Sequence, residues 1–339
     1  MDSTRVKDFV NSNGPLLVEK IGGLLNPFLL NFKNEKNRLL VFYFHGLYAS
    51  ESEQKLNHID PQNNMTVTQF EDFIKYFLIN KYRFICPEDM NSDLDSSQKY
   101  VMITFDDGYY NNLLSFEILE RYKIPAVYFL TTRNISENSS FWWDIIFKYR
   151  SKQGSSLENI RSEQVSLKSL KHQDIIDYIV RNFGIASFNP WSDIDRPLNE
   201  NEVKLLAKHS YASIGNHTHN HSILTNYTRD EIVEELRISN NSLFEMIGKY
   251  PISIAYPNGN FNDLVISIAK EEGFQYAFTI QHEPIHLPVG NDNLLTLNRF
   301  MASTNKISDY GSFYRMGYIP NYLFYSLKDR LTSFIMRKK

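Results

Sequence analysis

The sequence predicts an α/β fold in which a mostly parallel sheet curls into a (β/α) barrel, and three observations predict it. Short apolar runs rich in β-branched and aromatic residues recur along the chain, bounded by turn formers. Segments with helical apolar spacing alternate with them. Polar residues able to do chemistry stand directly after the runs, as at the C-terminal rim of a parallel barrel. An open doubly wound sheet is the alternative that the same pattern allows. With 339 residues, the chain suits two average domains or one barrel carrying an insertion.

The elements follow in order. Residues 1–38 read as a peripheral helical segment, and Leu39 to Phe44 as a buried strand running into His45-Gly46. Val67 to Tyr82 places Phe70, Phe73, Ile74, Phe77 and Leu78 on one helical stripe, with Thr66 or Thr68 as cap. The strand Phe84 to Cys86 and the strand Val101 to Phe105 come next, the latter ending in Asp106-Asp107-Gly108. Helical spacing over Asn111 to Tyr122 then leads to the strand Ala126 to Leu130. From Arg133 to Pro197 the alternation stops, and Phe141 to Phe147 and Leu167 to Phe183 read as helices of an insertion over one face. Its adjacent Trp142 and Trp143 serve as a sugar platform or as the anchor of the insertion.

Alternation resumes with the helix Glu200 to Lys208, the strand Ala212 to Gly215, the helix Arg229 to Ile247 and the strand Ile252 to Ala255. The helix Leu264 to Glu272 and the strands Phe274 to Ile280 and Leu294 to Phe300 complete the repeat. The expected organisation is therefore a helical segment over 1–38, a barrel over 39–300 with an insertion at 133–197, and a helical extension over 301–339. Within that extension Leu323, Leu327, Leu331, Phe334 and Ile335 share helical spacing before Arg337-Lys338-Lys339. Such a basic amphipathic helix packs on the barrel or touches anionic lipid.

Composition narrows the function classes. A hydrophobic fraction of 42% and a charged fraction of 22% place the chain among globular proteins, and its net charge of −3 provides no basic face for nucleic acid. Cys86 is the only cysteine, which excludes an intrachain disulfide and suits a reducing compartment. The polar N-terminus lacks the pattern of a secretory signal, so a cytoplasmic location is expected, with membrane contact limited to the inner face.

Three imidazoles within five residues, His217, His219 and His221, follow the strand Ala212 to Gly215. His217 and His221, four apart, can face one cation, and Asp107 would complete two histidines and a carboxylate with a position left for water. The neighbouring Asp106 is then free to act as a base. His45, at the end of the first strand, also carries a titratable ring, as do His282 and His286 after a later one.

In that order, Thr104-Phe105-Asp106-Asp107-Gly108, His217-Thr218-X-X-His221 and Tyr256-Pro257-X-Gly259 make the chain resemble the polysaccharide deacetylase family of carbohydrate esterases. The resemblance covers about Leu39 to Phe300 and implies a distorted (β/α) barrel, TIM-like, of about seven strands. It implies hydrolysis of acetyl groups on sugars by a divalent metal, zinc first and Co2+, Ni2+ or Mn2+ as alternatives. It also implies Asp106 as base and Asp107, His217 and His221 as metal ligands. On that reading Asp106 would take the proton of the attacking water, a cation held by the three ligands would supply the charge that acidifies it, and a backbone N–H of the Tyr256 to Gly259 loop would help to hold the oxyanion.

Two positions depart from the commonest pattern of that family. Ala255 stands where an arginine often precedes the third motif, and Leu297 to Phe300 lacks the late histidine acid. His45 is the candidate general acid in its place, and Arg299 the candidate charge beside the base. Tyr109, Tyr256, Pro257, Asn258, Trp142 and Trp143 are the candidate substrate contacts. The reading is deacetylation of an N-acetylated saccharide, with a silent glycan-binding barrel or a non-sugar amide hydrolase as alternatives. Oligomeric state is left open.

Overall fold

Seven consecutive residues, Arg38–Phe44, form β1, and all seven are buried. A strand covered on both faces reads as an unbroken apolar run, which is why Leu39 to Phe44 shows no polar alternation. The computed structural model describes residues 3–61, 65–91, 94–302 and 307–320, so the amphipathic stretch expected over 321–339 lies outside the described residues.

Before β1 comes α1 (Ser3–Leu29). After it, β2 (Leu47–Tyr48) and β3 (Met65–Thr66) pair on either side of α2 (Glu51–Gln54). Then follow α3 (Val67–Ile79), β4 (Tyr82–Phe84), β5 (Lys99–Phe105), α4 (Phe116–Tyr122) and β6 (Ala126–Leu130). The insertion contributes α5 (Thr132–Glu137), α6 (Trp142–Lys152), α7 (Leu157–Leu167) and α8 (His172–Phe183). Next come α9 (Glu200–Lys208), β7 (Ala212–Asn216), α10 (Arg229–Ile247), β8 (Ser253–Ala255), α11 (Asp263–Glu271) and β9 (Tyr276–Phe278). The described chain finishes with β10 (Ile285–His286), β11 (Phe300–Met301) and α12 (Ile307–Met316).

The main sheet runs β10-β1-β5-β6-β7-β8-β9, with β4 added to β5 and β11 to β1. Its pairings are parallel except that of β1 with β10. One stretch of chain draws its two edges together. The N–H of Ala277 in β9 bonds the Leu294 carbonyl at 2.9 Å and the N–H of Leu297 bonds that of Ala277 at 2.8 Å, after which Phe300 and Met301 ladder with Phe42 and Tyr43 of β1. The sheet is thus the curled (β/α) barrel expected, and not an open one.

Side-chain parity sorts the strands into two cores. Leu40, Phe42, Val101, Ile103, Ala126 and Tyr128 pack outward with the helices. Leu39, Val41, Tyr100, Met102, Val127 and Phe129 fill the interior. Continuing the inward set gives Tyr43 on β1, Thr104 on β5 and then Asp106 just past its end, and this carries chemistry to the inside of the C-terminal rim.

Three expected elements are interrupted, each for a visible reason. The helix over 111–122 begins as a tight turn at Tyr110–Ser115, because Asn112 donates to the His45 carbonyl and Asn111 accepts from the Leu47 N–H at 3.3 Å. The helix over 167–183 breaks between α7 and α8, where Asn226 donates to the carbonyls of Lys168 and Leu170. The strand over 294–300 shifts from β9 to β1, so it ladders with neither for long.

The insertion has its own apolar core of Phe141, Ile145, Ile146, Ile160 and Ile179. Lys148 and Asp195, both without exposed side-chain surface, form an ion pair that ties α6 to the return segment. Asp195 also accepts from the N–H groups of Trp191 and Ser192 and from the Ser140 hydroxyl. Asp195→Ala leaves a buried ammonium without its counter-charge and should lower the unfolding free energy by about 3–5 kcal/mol in a urea titration. Adding Lys148→Met should recover most of that loss; a single variant as stable as the wild type refutes the tie.

Candidate active site

Asp106 and Asp107 are adjacent but point apart because the backbone turns between them. The Asp106 N–H still bonds the Phe44 carbonyl at 2.8 Å, prolonging the ladder, whereas Asp107 has φ +73° and Gly108 φ +88°. An L side chain at Gly108 would be strained there and would meet Leu130 Cδ2 at 3.0 Å. Across the rim, the His217 N–H bonds the Leu130 carbonyl at 3.0 Å, and Thr218 and His221 adopt φ +66° and +52°. With Asn258 at +57°, four of the nine described non-glycine residues in the left-handed region lie at this one place. Such strain persists only where surrounding structure holds it, and it concentrates at functional sites.

Asp107, His217 and His221 offer ligand atoms within 4.8 Å of one another, a grouping that could hold a metal ion. Each histidine Nε2 lies 3.4 Å from Asp107 Oδ1, an oxygen that is buried without a hydrogen-bond partner. His217 Nδ1 lies 2.8 Å from the Ala255 carbonyl and donates to it, so the neutral ring presents Nε2 as its lone-pair nitrogen, although the nearby Asp107 and Asp106 carboxylates outweigh burial and raise its pKa. Burial and the neighbouring His217 push His221 down to about 3, so its ring stays neutral near pH 7. Burial would raise Asp107, but the imidazoles of His217, His45 and His221 packed around it outweigh that and bring it to about 2. Two imidazoles and a carboxylate facing one point fit zinc or a similar divalent ion, because the lone pairs crowd each other without a cation.

Asp106, 4% exposed, is held by a fork: Arg299 Nη1 and Nη2 bond its two oxygens at 2.6 and 2.8 Å. Arg299 is itself fully buried and also donates to Thr104 Oγ1 and the Thr279 carbonyl, each at 3.0 Å. Burial alone would raise the Asp106 pKa, yet the guanidinium keeps it below the usual carboxylate range and therefore ionised. His45 stands on the other side of Asp107, its Nε2 4.0 Å from Oδ2 and its Nδ1 buried without a partner. His282 instead points its Nδ1 at the Arg299 carbonyl, 3.1 Å away, and His286 lies on β10 beside Arg38, at the opposite end of β1.

These residues open onto a cavity of about 460 Å³ that the insertion walls on one side. Trp143 stacks on Phe141 and sets its ring 4.6 Å from that of His221, and its Nε1 donates to the Tyr109 hydroxyl at 2.9 Å. Tyr109 in turn donates to Asp144 at 2.7 Å. Trp142 lines the same wall, and both indoles are buried, so they anchor the insertion while facing the cavity. Asn258 faces Lys168 across the opening at 2.7 Å, next to Pro257, which is also buried. The Tyr256 ring is fully buried, with its hydroxyl on the Leu295 carbonyl.

Sequence reasoning missed Tyr43, Asp60, Asp144, Arg161, Gln164 and Lys168. Asp144 had a signal, as the one charge in the apolar run Phe141 to Phe147, and burial holds its carboxyl well above the usual range. Arg161, Gln164 and Lys168 had none, since solvated helices carry the same residues.

A curled barrel with an Asp-His-His cluster and a second, arginine-clamped aspartate at its rim defines a class of metal-site hydrolase folds. The profile of the polysaccharide deacetylase family matches residues 93–277, over half of the chain, which belongs to that family. A Staphylococcus aureus (strain MRSA252) poly-β-1,6-N-acetyl-D-glucosamine N-deacetylase is 24% identical over 235 residues, 68% of this chain and 65% of that protein. The chain spans less than two thirds of the length of the curated relatives it first matches. The Streptococcus pyogenes deacetylase PplD, solved with acetate, shares the fold at a TM-score of 0.54 and 18% identity, covering 80% of this chain and 94% of that one. BC0361, a polysaccharide deacetylase from Bacillus cereus, does so at 0.58 and 19%, covering 83% and 69%.

The donor set makes a prediction independent of turnover. Zinc or nickel at about a hundredfold over its dissociation constant should add about 2.7 kcal/mol of stability, read as a rise in thermal midpoint. Asp107→Ala and His217→Ala should abolish the rise, and Asp106→Asn should keep it. An equal loss in all three variants would reject the cluster as the metal site.

Proposed function

We propose that this chain is a metal-dependent hydrolase that removes the acetyl group from an N-acetylated sugar of a polysaccharide or glycoconjugate precursor. The observation that carries the reading is the pairing of two differently prepared carboxylates: Asp107 faces the two histidines, and Asp106 is clamped and ionised by Arg299. The activity of the Staphylococcus aureus relative supports the choice of an N-acetylated sugar.

A divalent cation held by Asp107, His217 and His221 would, when bound, supply positive charge that acidifies water and polarises the acetyl carbonyl. Asp106 takes the proton of the attacking water. Arg299 points the Asp106 carboxylate and keeps it ionised, so its role is positioning. As the carbon–nitrogen bond breaks, the electron pair goes to nitrogen, which cannot leave as an amide anion, and His45 donates the proton it needs. On the Tyr256 to Gly259 loop, the N–H groups of Tyr256 and Gly259 already bond the Phe278 and Tyr256 carbonyls, so Asn258 supplies the N–H for the oxyanion. Acetate and the free amine are the products.

The sugar sits between the indole wall and Asn258, in a cavity of ordinary size for one small ligand. Trp143 excludes water behind His221, and Lys168 and Arg161 reach the outer part of the cavity from α7 and the turn that follows it.

The central experiment is acetate release from N-acetylated glucosamine oligomers, with and without chelator. Turnover should vanish on chelation and return with zinc or cobalt, and Asp106→Asn should retain stoichiometric metal while losing at least about 10²-fold in kcat. Undiminished release after verified metal removal sinks the reading.

His45→Ala tests the acid. On an amide substrate kcat should drop by about 10² or more at unchanged metal content, and on an activated aryl acetate the loss should be smaller because that leaving group needs little protonation. Wild-type amide turnover in His45→Ala, with a loss in His282→Ala, would move the acid to the other side of the barrel.

A further inference from the structure

Over residues 15–29, helix α1 turns a polar, small-residue face inward and an apolar face outward. Gly22 lies against α12, where a Cβ would meet the Phe313 ring at 2.3 Å. On the same side the Tyr318 hydroxyl donates to Asn26 at 3.0 Å and the Tyr310 hydroxyl to Glu19 at 3.4 Å. Opposite that face, Leu17, Ile21, Leu24, Leu25 and Phe28 share a stripe roughly 100° wide at helical spacing. They are 59, 48, 81, 51 and 63% exposed. Phe32, just past the helix, is 77% exposed and lies edge-on to Phe28. Single exposed apolar side chains are ordinary, whereas a contiguous stripe of this kind calls for an occupant.

We propose that this stripe docks on an anionic lipid surface, with α1 lying in the plane of the interface. Charge selects that occupant. Glu19 is the one acid among residues 15–34 and it faces the body, whereas Lys20 is exposed next to the stripe. The chain that continues from Pro320, just past the Tyr318 that touches Asn26, adds Lys328, Arg330, Lys338 and two further basic residues over 321–339 against the single acid Asp329. These bases follow in sequence from a point beside α1, in a chain whose overall net charge is −3. Covering the stripe with that same segment, or with a second copy of α1, would bring bases toward Lys20; an anionic leaflet meets both the apolar stripe and the bases. No helix among the described residues is long and apolar enough to cross a membrane, so the contact is interfacial.

The test needs no catalytic readout and stands apart from the deacetylase reading. The full chain is sedimented with vesicles of phosphatidylcholine alone or of phosphatidylcholine with phosphatidylglycerol. Binding should require phosphatidylglycerol and weaken with salt. Leu24→Glu and Phe28→Glu, both at exposed positions, should each lower vesicle affinity by about tenfold while leaving the thermal midpoint unchanged. Absence of binding to the anionic vesicles, or undiminished binding in the double variant, overturns the proposal. So does a solution dimer that Leu24→Glu splits, or a variant that loses stability and exposes 321–339 to protease, because the stripe would then belong to a second copy or to the chain itself.

Discussion

The fork between Arg299 and Asp106 is the constraint on which the rest of the site depends. Two charges are taken from water into the barrel interior, at a desolvation cost that only excellent geometry offsets. That geometry is present: the guanidinium uses both carboxylate oxygens, Thr104 Oγ1 and the Thr279 carbonyl, and lies 5.0 Å from the centre of the Tyr43 ring. Arg299 also belongs to the stretch that joins β9 to β1, so the contact that keeps Asp106 ionised sits on the seam of the barrel. Closure and charge are therefore satisfied by one arrangement.

The same logic governs the insertion. A bundle of three helices, α6 to α8, with a separate apolar core has no reason of its own to sit in one orientation on a barrel rim, because apolar contacts are not directional. Directional polar contacts supply the orientation. Asp144 accepts from the Asp60 N–H and the Tyr109 hydroxyl, and Gln164 donates to Asp60 and to the Trp143 carbonyl. These bonds aim Trp143 at His221, and the buried Lys148–Asp195 pair holds the far end. A half-satisfied network would cost more than an apolar contact of the same size.

Local strain is the third ingredient. Asp107, Thr218, His221 and Asn258 all hold left-handed backbones, and Thr218 is β-branched, for which that region is least favourable. Local hydrogen bonds pin the turn after β7, where the Thr218 N–H bonds Asn216 Oδ1 at 2.6 Å and the Ser222 N–H bonds Thr218 Oγ1 at 3.0 Å. The loops are rigid extensions of the sheet, which suits groups that must meet within a few ångströms.

Sequence alone determined whatever propagates along the chain. Apolar runs revealed the strands of the barrel, and strict alternation from Tyr100 through Met102 and Thr104 placed Asp106 on the inner face. The spacing of His217 and His221 brought two imidazoles to one side of a turn. Tertiary structure alone decided what depends on closure. The resemblance nominated Arg299 as a charge near the base, but its fork on Asp106 across 193 residues is set by closure; likewise Trp143 meets His221 through an insertion with no periodic link to the barrel, and Lys168 reaches Asn258 across the cavity. It also decided which face of α1 turns outward. Helical periodicity states that a stripe exists, and only the packing of Gly22 on α12 and of Asn26 on Tyr318 just past it shows that the apolar side is left in the open. The physical reason is common to all four: periodicity and turn chemistry are local, whereas partners distant in the chain are chosen by the geometry with which the sheet curls and the helices pack upon it.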